Sequence, residues 1–321
     1  MKKGWIAAVV ACLVAWPAAA VDSCWLRDAA APGAGTIYAL CEQGRLWTST
    51  DGGVKWAARD MHATAPLRAL AFLDARRGLA VGDRGLILAT EDGGKTWAQR
   101  TSPTKEKLMA MVWRGEQAWA SGMNGAIVHT ADGGLTWERQ KTGTTQALEA
   151  IFFLDGRQGW AAGWSGTILR TEDGGATWKL IKTDAGQWSL AAIYFRDAKR
   201  GWAAGFAGQI LRTEDGGLTW KAVTSGTNAW LTSIAFDAQG RGWIAFDDGF
   251  LTSEDGVAWK EVRMPGRNFL SRLVRVNGSL WAVGQSGILE RTDGMDWKRV
   301  QSLVVDNSMR EPDRAAGKVG R

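Results

Sequence analysis

An octapeptide recurs along this chain at an almost constant interval. It reads STDGGVKW at 49–56, TEDGGKTW at 90–97, TADGGLTW at 130–137, TEDGGATW at 171–178 and TEDGGLTW at 213–220. Two contracted copies follow, SEDGVAW at 253–259 and TDGMDW at 292–297. The closing residues are Trp56, Trp97, Trp137, Trp178, Trp220, Trp259 and Trp297, spaced by 41, 40, 41, 42, 39 and 38 residues. A fixed period of this size means one supersecondary unit per repeat, each burying its apolar faces only against its neighbours.

Other columns keep register with the octapeptide. LRALAF at 67–72, LMAMVW at 108–113, LEAIFF at 148–153, LAAIYF at 190–195, LTSIAF at 231–236 and LSRLVR at 270–275 precede it. A short strand such as GWAAG at 159–163 or 201–205 comes next, then a Gly-x-x-Gly turn, then a strand such as TILRT at 167–171. The segment leaving the boxed tryptophan, such as WKLI at 178–181, makes a fourth strand. No apolar stripe with a 3.6-residue period runs through the unit, so a helical solenoid is excluded. Four short strands per repeat predict an all-β, seven-bladed β-propeller with four-stranded antiparallel blades. Trp119, Trp160, Trp202, Trp243 and Trp281 form a second column, which Tyr38 and Leu79 occupy in blades 1 and 2. Trp25, Trp47, Trp113, Trp164, Trp188 and Trp230 belong to neither column.

The octapeptide resembles the Asp-box of bacterial neuraminidases, Ser/Thr-x-Asp-x-Gly-x-Thr-Trp, with Lys55 replacing the threonine in the first copy. Its chemistry is local. The carboxylate accepts backbone N–H bonds inside the turn, the glycines permit φ > 0 in a tight hairpin, and the indole fills space between sheets. Asp51, Asp92, Asp132, Asp173, Asp215 and Asp255 are therefore assigned to structure rather than catalysis. The resemblance implies that the boxes lie on the side of the propeller away from a ligand.

The first repeat lacks an obvious inner strand. Counting 12 residues back from Tyr38 reaches Leu26, so Cys24-Trp25-Leu26 is the expected start. The rival, closure by Leu303-Val304-Val305, puts the polar Ser308 at the head of the strand. With Leu26 in register, Cys24 begins the first strand and Cys41 ends the second, where antiparallel pairing brings them together. A disulfide there would add roughly 3 kcal/mol on the chain-entropy account; two unpaired buried thiols are the alternative.

Residues 1–20, MKKGWIAAVVACLVAWPAAA, combine Lys2 and Lys3, an apolar run and a small-residue cleavage site. That is the pattern of a cleaved secretory signal peptide, and an exported chain favours the disulfide. Val9-Val10-Ala11-Cys12 loosely fits a lipoprotein site, but the apolar stretch continues past Cys12. The expected organisation is signal peptide 1–20, propeller 21–305 and a polar flexible tail 306–321. The formal charge is +6, or +4 without Lys2 and Lys3. That is too small and too dispersed for nucleic-acid binding. With two histidines and no Cys-x-x-Cys, neither a metal centre nor a cofactor is expected.

The stretches FLDARRGLAVG at 72–82, FLDGRQGWAAG at 153–163 and FRDAKRGWAAG at 195–205, together with the boxes, resemble one family in particular. It is the photosystem II stability/assembly factor propellers and their non-photosynthetic bacterial relatives, over about residues 24–301. The resemblance implies a non-catalytic, periplasmic scaffold or assembly factor that binds a membrane-associated protein partner. In bacteria it suggests a link to resistance–nodulation–division transporters. A second resemblance, to sialidases and other Asp-box glycoside hydrolases or sugar-binding propellers, leaves carbohydrate as the alternative ligand. That chemistry needs a carboxylic acid and a nucleophile, often tyrosine in sialidases. Tyr38 and Tyr194 sit in structural columns, no sialidase Arg-Ile-Pro signature occurs, and Asp247, Asp248 and Glu149 read as solvated charges.

Blade topology sorts the remaining aromatics. Trp188, Trp230 and Phe269 precede the inner strands of blades 5, 6 and 7, and Trp164 and Phe206 occupy the Gly-x-x-Gly turns of blades 4 and 5. These five are expected to converge on one face as anchors for a partner, or else to cap the core between blades. Arg77, Arg200 and Arg241 share an equivalent turn on the opposite face. A monomer is expected.

Overall fold

The computed structural model describes residues 24–301, apart from 34, 184, 185, 265–268, 277, 286 and 292–296. The expected signal peptide, the C-terminal tail and the box aspartate of the seventh repeat lie outside the described residues. Seven four-stranded antiparallel sheets follow one another along the chain, each with its strands in sequence order. Blade 4 is representative, with strands Leu148–Phe153, Gly159–Gly163, Ile168–Thr171 and Lys179–Ile181. The chain is thus a seven-bladed β-propeller. Inner strands from all seven blades enclose a central channel of about 310 Å³, lined by Ala29, Leu70, Met111, Ala150, Ala192, Ser233 and Arg272 among others.

Blade 1 takes its inner strand from the N-terminal side, Leu26–Gly33, which pairs with Thr36–Cys41. Leu26 faces Cys41 in that register, and the Cα atoms of Cys24 and Cys41 are 5.6 Å apart with their sulfurs at bonding distance.

Each box among the described residues is a local hydrogen-bond set. In blade 2, Asp92 Oδ1 accepts from the Thr90 hydroxyl and the Lys95 and Thr96 amides, Oδ2 accepts from the Thr96 hydroxyl at 2.6 Å, and Thr90 Oγ1 accepts from the Gly94 amide. Asp132, Asp173 and Asp215 repeat the bond from the last threonine at the same 2.6 Å. These bonds hold Asp92, Asp173 and Asp215 at about 2. For Asp92 and Asp173 the threonine hydroxyl is the main cause; for Asp215 burial opposes the shift and is outweighed. Asp51 faces Lys55 in place of the threonine, and its depression comes chiefly from the Lys55 amide.

The two aromatic columns interlock between blades rather than within them. At three junctions, from blade 1 to 2, 3 to 4 and 4 to 5, the ring in the second strand of one blade lies flat on a phenylalanine in the inner strand of the next. Tyr38 stacks on Phe72 and Trp119 on Phe153 at 3.7 Å, and Trp160 on Phe195 at 3.6 Å. The boxed tryptophan of that next blade meets the same phenylalanine edge-on, as in Phe72–Trp97, Phe153–Trp178 and Phe195–Trp220. One phenylalanine thus makes both a close face-to-face contact and an edge-to-face contact, the latter a favoured aromatic geometry. The column ring also donates to the first glycine carbonyl of the next box. Trp119 Nε1 reaches Gly174 O at 2.9 Å, Trp160 reaches Gly216 O at 3.0 Å, Trp202 reaches Gly256 O at 2.7 Å, and the Tyr38 hydroxyl reaches Gly93 O at 3.3 Å.

At the closing seam the column tryptophan of blade 7 packs on the first box, without the hydrogen bond that Tyr38, Trp119, Trp160 and Trp202 make. A Cβ on Gly53 of the first box would stand 2.3 Å from Cη2 of Trp281 in blade 7, so only glycine admits the indole. Asp28 joins three blades: its carboxylate takes Arg272 Nε of blade 7 at 3.2 Å and the Leu70 amide of blade 2 at 3.0 Å. Trp25 Nε1 donates to Ser271 Oγ at 3.0 Å across the same seam. No strand is exchanged between blades 1 and 7 among the described residues.

Candidate functional site

Two faces result from the up-and-down order of the strands. One carries the boxes and the turns between first and second strands. The other carries the loops leading into each inner strand and the single 3-10 turns at Asp83–Gly85, Met123–Gly125, Trp164–Gly166 and Phe206–Gly208. Those turns are fixed by close backbone approach: a Cβ on Gly163 would lie 1.8 Å from the Ala147 carbonyl.

Most inner strands begin with a one-residue irregularity. The pairing register skips Arg27, Arg68, Met109, Glu149, Ala191 and Ser271, each directly after the first leucine of its strand. A bulged residue is released from the ladder and its side chain re-aimed. Here that puts one side chain per blade at the mouth of the channel. These residues, with Trp25, Lys107, Trp230, Thr232, Asp247, Phe269 and Leu270, line a cavity of about 570 Å³.

The mouth is electrostatically divided. Over blades 1 to 3 runs a chain of ion pairs. Arg27 Nε donates to Glu42 at 2.9 Å, Arg68 bridges Glu42 at 2.7 Å and Asp83 at 2.8 Å, and Lys107 lies 3.6 Å from Asp83. Burial pushes Asp83 up, but the Arg68 bond and the charges of Arg68 and Lys107 outweigh it and keep its carboxyl below the usual range. The Arg27 guanidinium also rests 4.1 Å over the Trp25 ring. Three cations against two carboxylates leave this half basic.

Over blades 4 to 6 the surface is aromatic. Trp164, Trp188, Phe206 and Trp230 are 45–49% exposed, whereas every column tryptophan is at most 2% exposed. Trp188 and Phe206 are in contact at 5.4 Å between centroids. Trp164 Nε1 donates to Glu149 Oε1 at 2.5 Å. Burial raises Glu149 above its ordinary value, opposed by hydrogen bonds from Trp164 and Ser189. Backbone bonds tie the row together: the Gly166 amide to Trp188 O and the Gly208 amide to Ala229 O, both at 2.8 Å. Phe269 differs from the other four. It is half-buried at the cavity edge with φ +40°, and its amide donates to Asp247 O. The structure therefore places Trp164, Trp188, Phe206 and Trp230 along one arc, with Trp230 and Phe269 both reaching the mouth.

Arg27, Arg68 and Lys107 were not among the residues singled out from sequence. The signal that finds them is the position after the aligned leucine. The other flagged groups have structural partners. Tyr38 is buried, its one hydroxyl proton shared between Ala75 O at 3.2 Å and Gly93 O at 3.3 Å, and burial raises it as it raises Tyr194 in the channel wall. Arg77 pairs with Asp74 and Glu116, Arg200 with Asp197, and Arg241 with Asp237 and Glu254. The turn face is thus studded with neutralised pairs rather than a basic ring. Asp248 pairs with Arg263. Among the described residues no group of three or more His, Cys, Asp or Glu side chains could hold a metal ion, and no helix is long and apolar enough to cross a membrane.

The profile of the family described as photosynthesis system II assembly factor YCF48 matches residues 50–146 and 136–228. Among solved structures, the fold is similar to YCF48 bound to D1 peptide, with a TM-score of 0.71 at 19% identity, covering 84% of this chain and 91% of that one. It is also similar to YCF48 from Cyanidioschyzon merolae, with a TM-score of 0.68 at 17% identity, covering 84% and 95% of the two chains. The WD40 repeats of RRP9 superpose with a TM-score of 0.69 at 13% identity, over 82% and 88%. At these identities the structural likeness shows the fold alone. A search of curated proteins finds no match.

Proposed function

Because the chain belongs to the photosynthesis system II assembly factor YCF48 family, we propose that it is a non-catalytic binding scaffold or assembly factor, exported to the periplasm, that holds a segment of a membrane-associated protein. The observation that carries this is the arc of Trp164, Trp188, Phe206 and Trp230, each near half exposed. Trp230, at one end of it, lines a mouth whose far side is basic. Contiguous exposed aromatic surface on a rigid frame is the usual make-up of protein anchors. YCF48 has been solved with a D1 peptide bound, which supports a polypeptide ligand. The signal-like residues 1–20 and the Cys24–Cys41 pair support export and an oxidising compartment. Transport assemblies are the first membrane complexes to test as partners.

The test replaces Trp188 or Trp230 with a photo-crosslinking residue in cells, using Leu218 on the box face as the control position. The expected result is crosslinking of one membrane-associated polypeptide from the arc and none from Leu218. In parallel, Trp188→Ala with Trp230→Ala should leave Tm near wild type and abolish capture of that polypeptide. A large fall in Tm would mean that these rings cap the core. Protection of their fluorescence by sugars, without crosslinking, would turn the reading to carbohydrate.

A further inference from the structure

Three arginines escape the pairing that neutralises the turn arginines. All three stand where inner strands end, at the box-face end of the central channel. Arg114 of blade 3 and Arg196 of blade 5 occupy equivalent places, six residues after the aligned leucine. Each reaches a carbonyl of the next blade, Arg114 Nε donating to Phe153 O at 2.9 Å and Arg196 to Gly240 O. Each also stands over a ring, Arg114 at 5.7 Å from the Phe152 centroid and Arg196 at 4.5 Å from that of Phe236. Arg275 of blade 7 comes five residues after its leucine, where blades 2 to 6 carry Phe72, Trp113, Phe153, Phe195 and Phe236. Unlike those rings, which fill space between blades, Arg275 is exposed. Arg114 and Arg275 line one channel with Phe152 and Tyr194, two rings in contact at 5.5 Å between centroids.

The counter-charges at this end are spoken for. Among the described residues no carboxylate lines the channel, and its third lining arginine, Arg272, is held by Asp28 at 3.2 Å. Of the turn aspartates around it, Asp74, Asp197 and Asp237 are taken by Arg77, Arg200 and Arg241. Asp155 accepts from the Arg157 and Gln158 amides. Arg114, Arg196 and Arg275 make no ion pair among the described residues. Burial lowers Arg114, and no carboxylate opposes it. Tyr194 feels the charges of Arg275 and Arg196 and no negative one. A guanidinium partly withdrawn from water without a counter-ion is costly, and its fork of donors matches an oxyanion.

We infer that this end of the channel is a binding site for a small oxyanion, a phosphate or a carboxylate, held by Arg114 and Arg275 beside Tyr194, with Arg196 adding to the field. The channel's 310 Å³ lies at the low end for small-molecule sites, so the occupant is a small ion or acid rather than a polypeptide. Bound there, it ties blade 3 to blade 7 across the ring. The inference does not depend on the function proposed for the opposite face.

The experiment titrates the protein with inorganic phosphate and, separately, with succinate, at constant ionic strength set by sodium chloride. Calorimetry reads binding, and Tm reads the stabilisation that a ligand of the folded state must bring. Saturable binding with a half-saturation on the order of 1 mM is expected, with Tm rising over the same range. Saturation by phosphate alone identifies a phosphate ligand, by succinate alone a carboxylate, and by both the shared oxyanion chemistry; each result supports the site. Arg114→Gln with Arg275→Gln should weaken binding by at least roughly tenfold. Arg139→Gln with Lys221→Gln removes the same charge from exposed outer strands and should leave binding intact. Absence of saturation by either ion, or an equal loss in the two double variants, would overturn the assignment. If the channel variant fails to fold, Arg275→Gln alone, at an exposed side chain, serves in its place and must also weaken binding.

Discussion

Replacing Trp160 by alanine tests whether the blades are held by the interlock described above. Trp160 is fully buried, lies flat on Phe195 at 3.6 Å and donates to Gly216 O. Truncating a buried Trp to Ala costs about 3–5 kcal/mol through lost transfer energy and the cavity left behind. The lost hydrogen bond adds about 1 kcal/mol at most, since Arg170 still satisfies Gly216 O. The expected loss is therefore about 3–6 kcal/mol. At about 2 °C per kcal/mol for a domain of this size, Tm should fall by roughly 6–12 °C. Guanidinium titration measures the free energy directly, and calorimetry gives Tm. Trp188→Ala is the internal comparison: it also removes an indole, but one 49% exposed, and should cost less than about 1 kcal/mol. If Trp160→Ala lost under about 1.5 kcal/mol, or no more than Trp188→Ala, the blades would not be coupled through these rings.

Gly53→Ala should destabilise more than Gly52→Ala. Both glycines have positive φ, +93° and +74°, but only the Gly53 methyl meets Trp281, and nothing lies within 4 Å at Gly52. The difference between the two, by denaturant titration, should be about 1–3 kcal/mol. Stability should fall on acidification from about pH 4 to pH 2. Asp92, Asp173 and Asp215 have folded values near 2, below the unfolded carboxylate value, so their contribution is complete above pH 4 and lost as pH drops through 2. A melting profile flat over that window would contradict the box chemistry. Lys55→Thr should give Asp51 the hydroxyl bond it lacks and lower its pKa further, measurable by NMR titration of the carboxyl carbon.

How much of this was readable before the structure depends on which residues touch within a blade and which touch across blades. The seven box tryptophans set blade number and strand order because each repeat is a contiguous unit. The Leu26 start was readable because the leucine-to-aromatic spacing is preserved even where the first repeat is degenerate. Trp113 had no reading alone. It becomes intelligible only beside Leu79 of the preceding blade, where a larger ring meets a smaller column residue. The basic half of the mouth was hidden for a different reason. Arg27 and Arg68 look like solvated strand-edge charges until the bulge at the head of each inner strand turns them inward. The turn arginines were visible as an equivalent set, but the aspartate three or four residues earlier in each turn takes up their charge.

The seam between blades 1 and 7 sets a timing problem during synthesis. Blade 1 is complete by Asp60, yet the groups that seal it, Arg272, Ser271 and Trp281, are made some 210 residues later. At 5–20 residues per second that is roughly 10–40 s in which a naked sheet flank and the unmet Asp28 carboxylate wait for their complement. The nascent ring is an open arc for that interval, and a holdase shielding its first blade would find its substrate there.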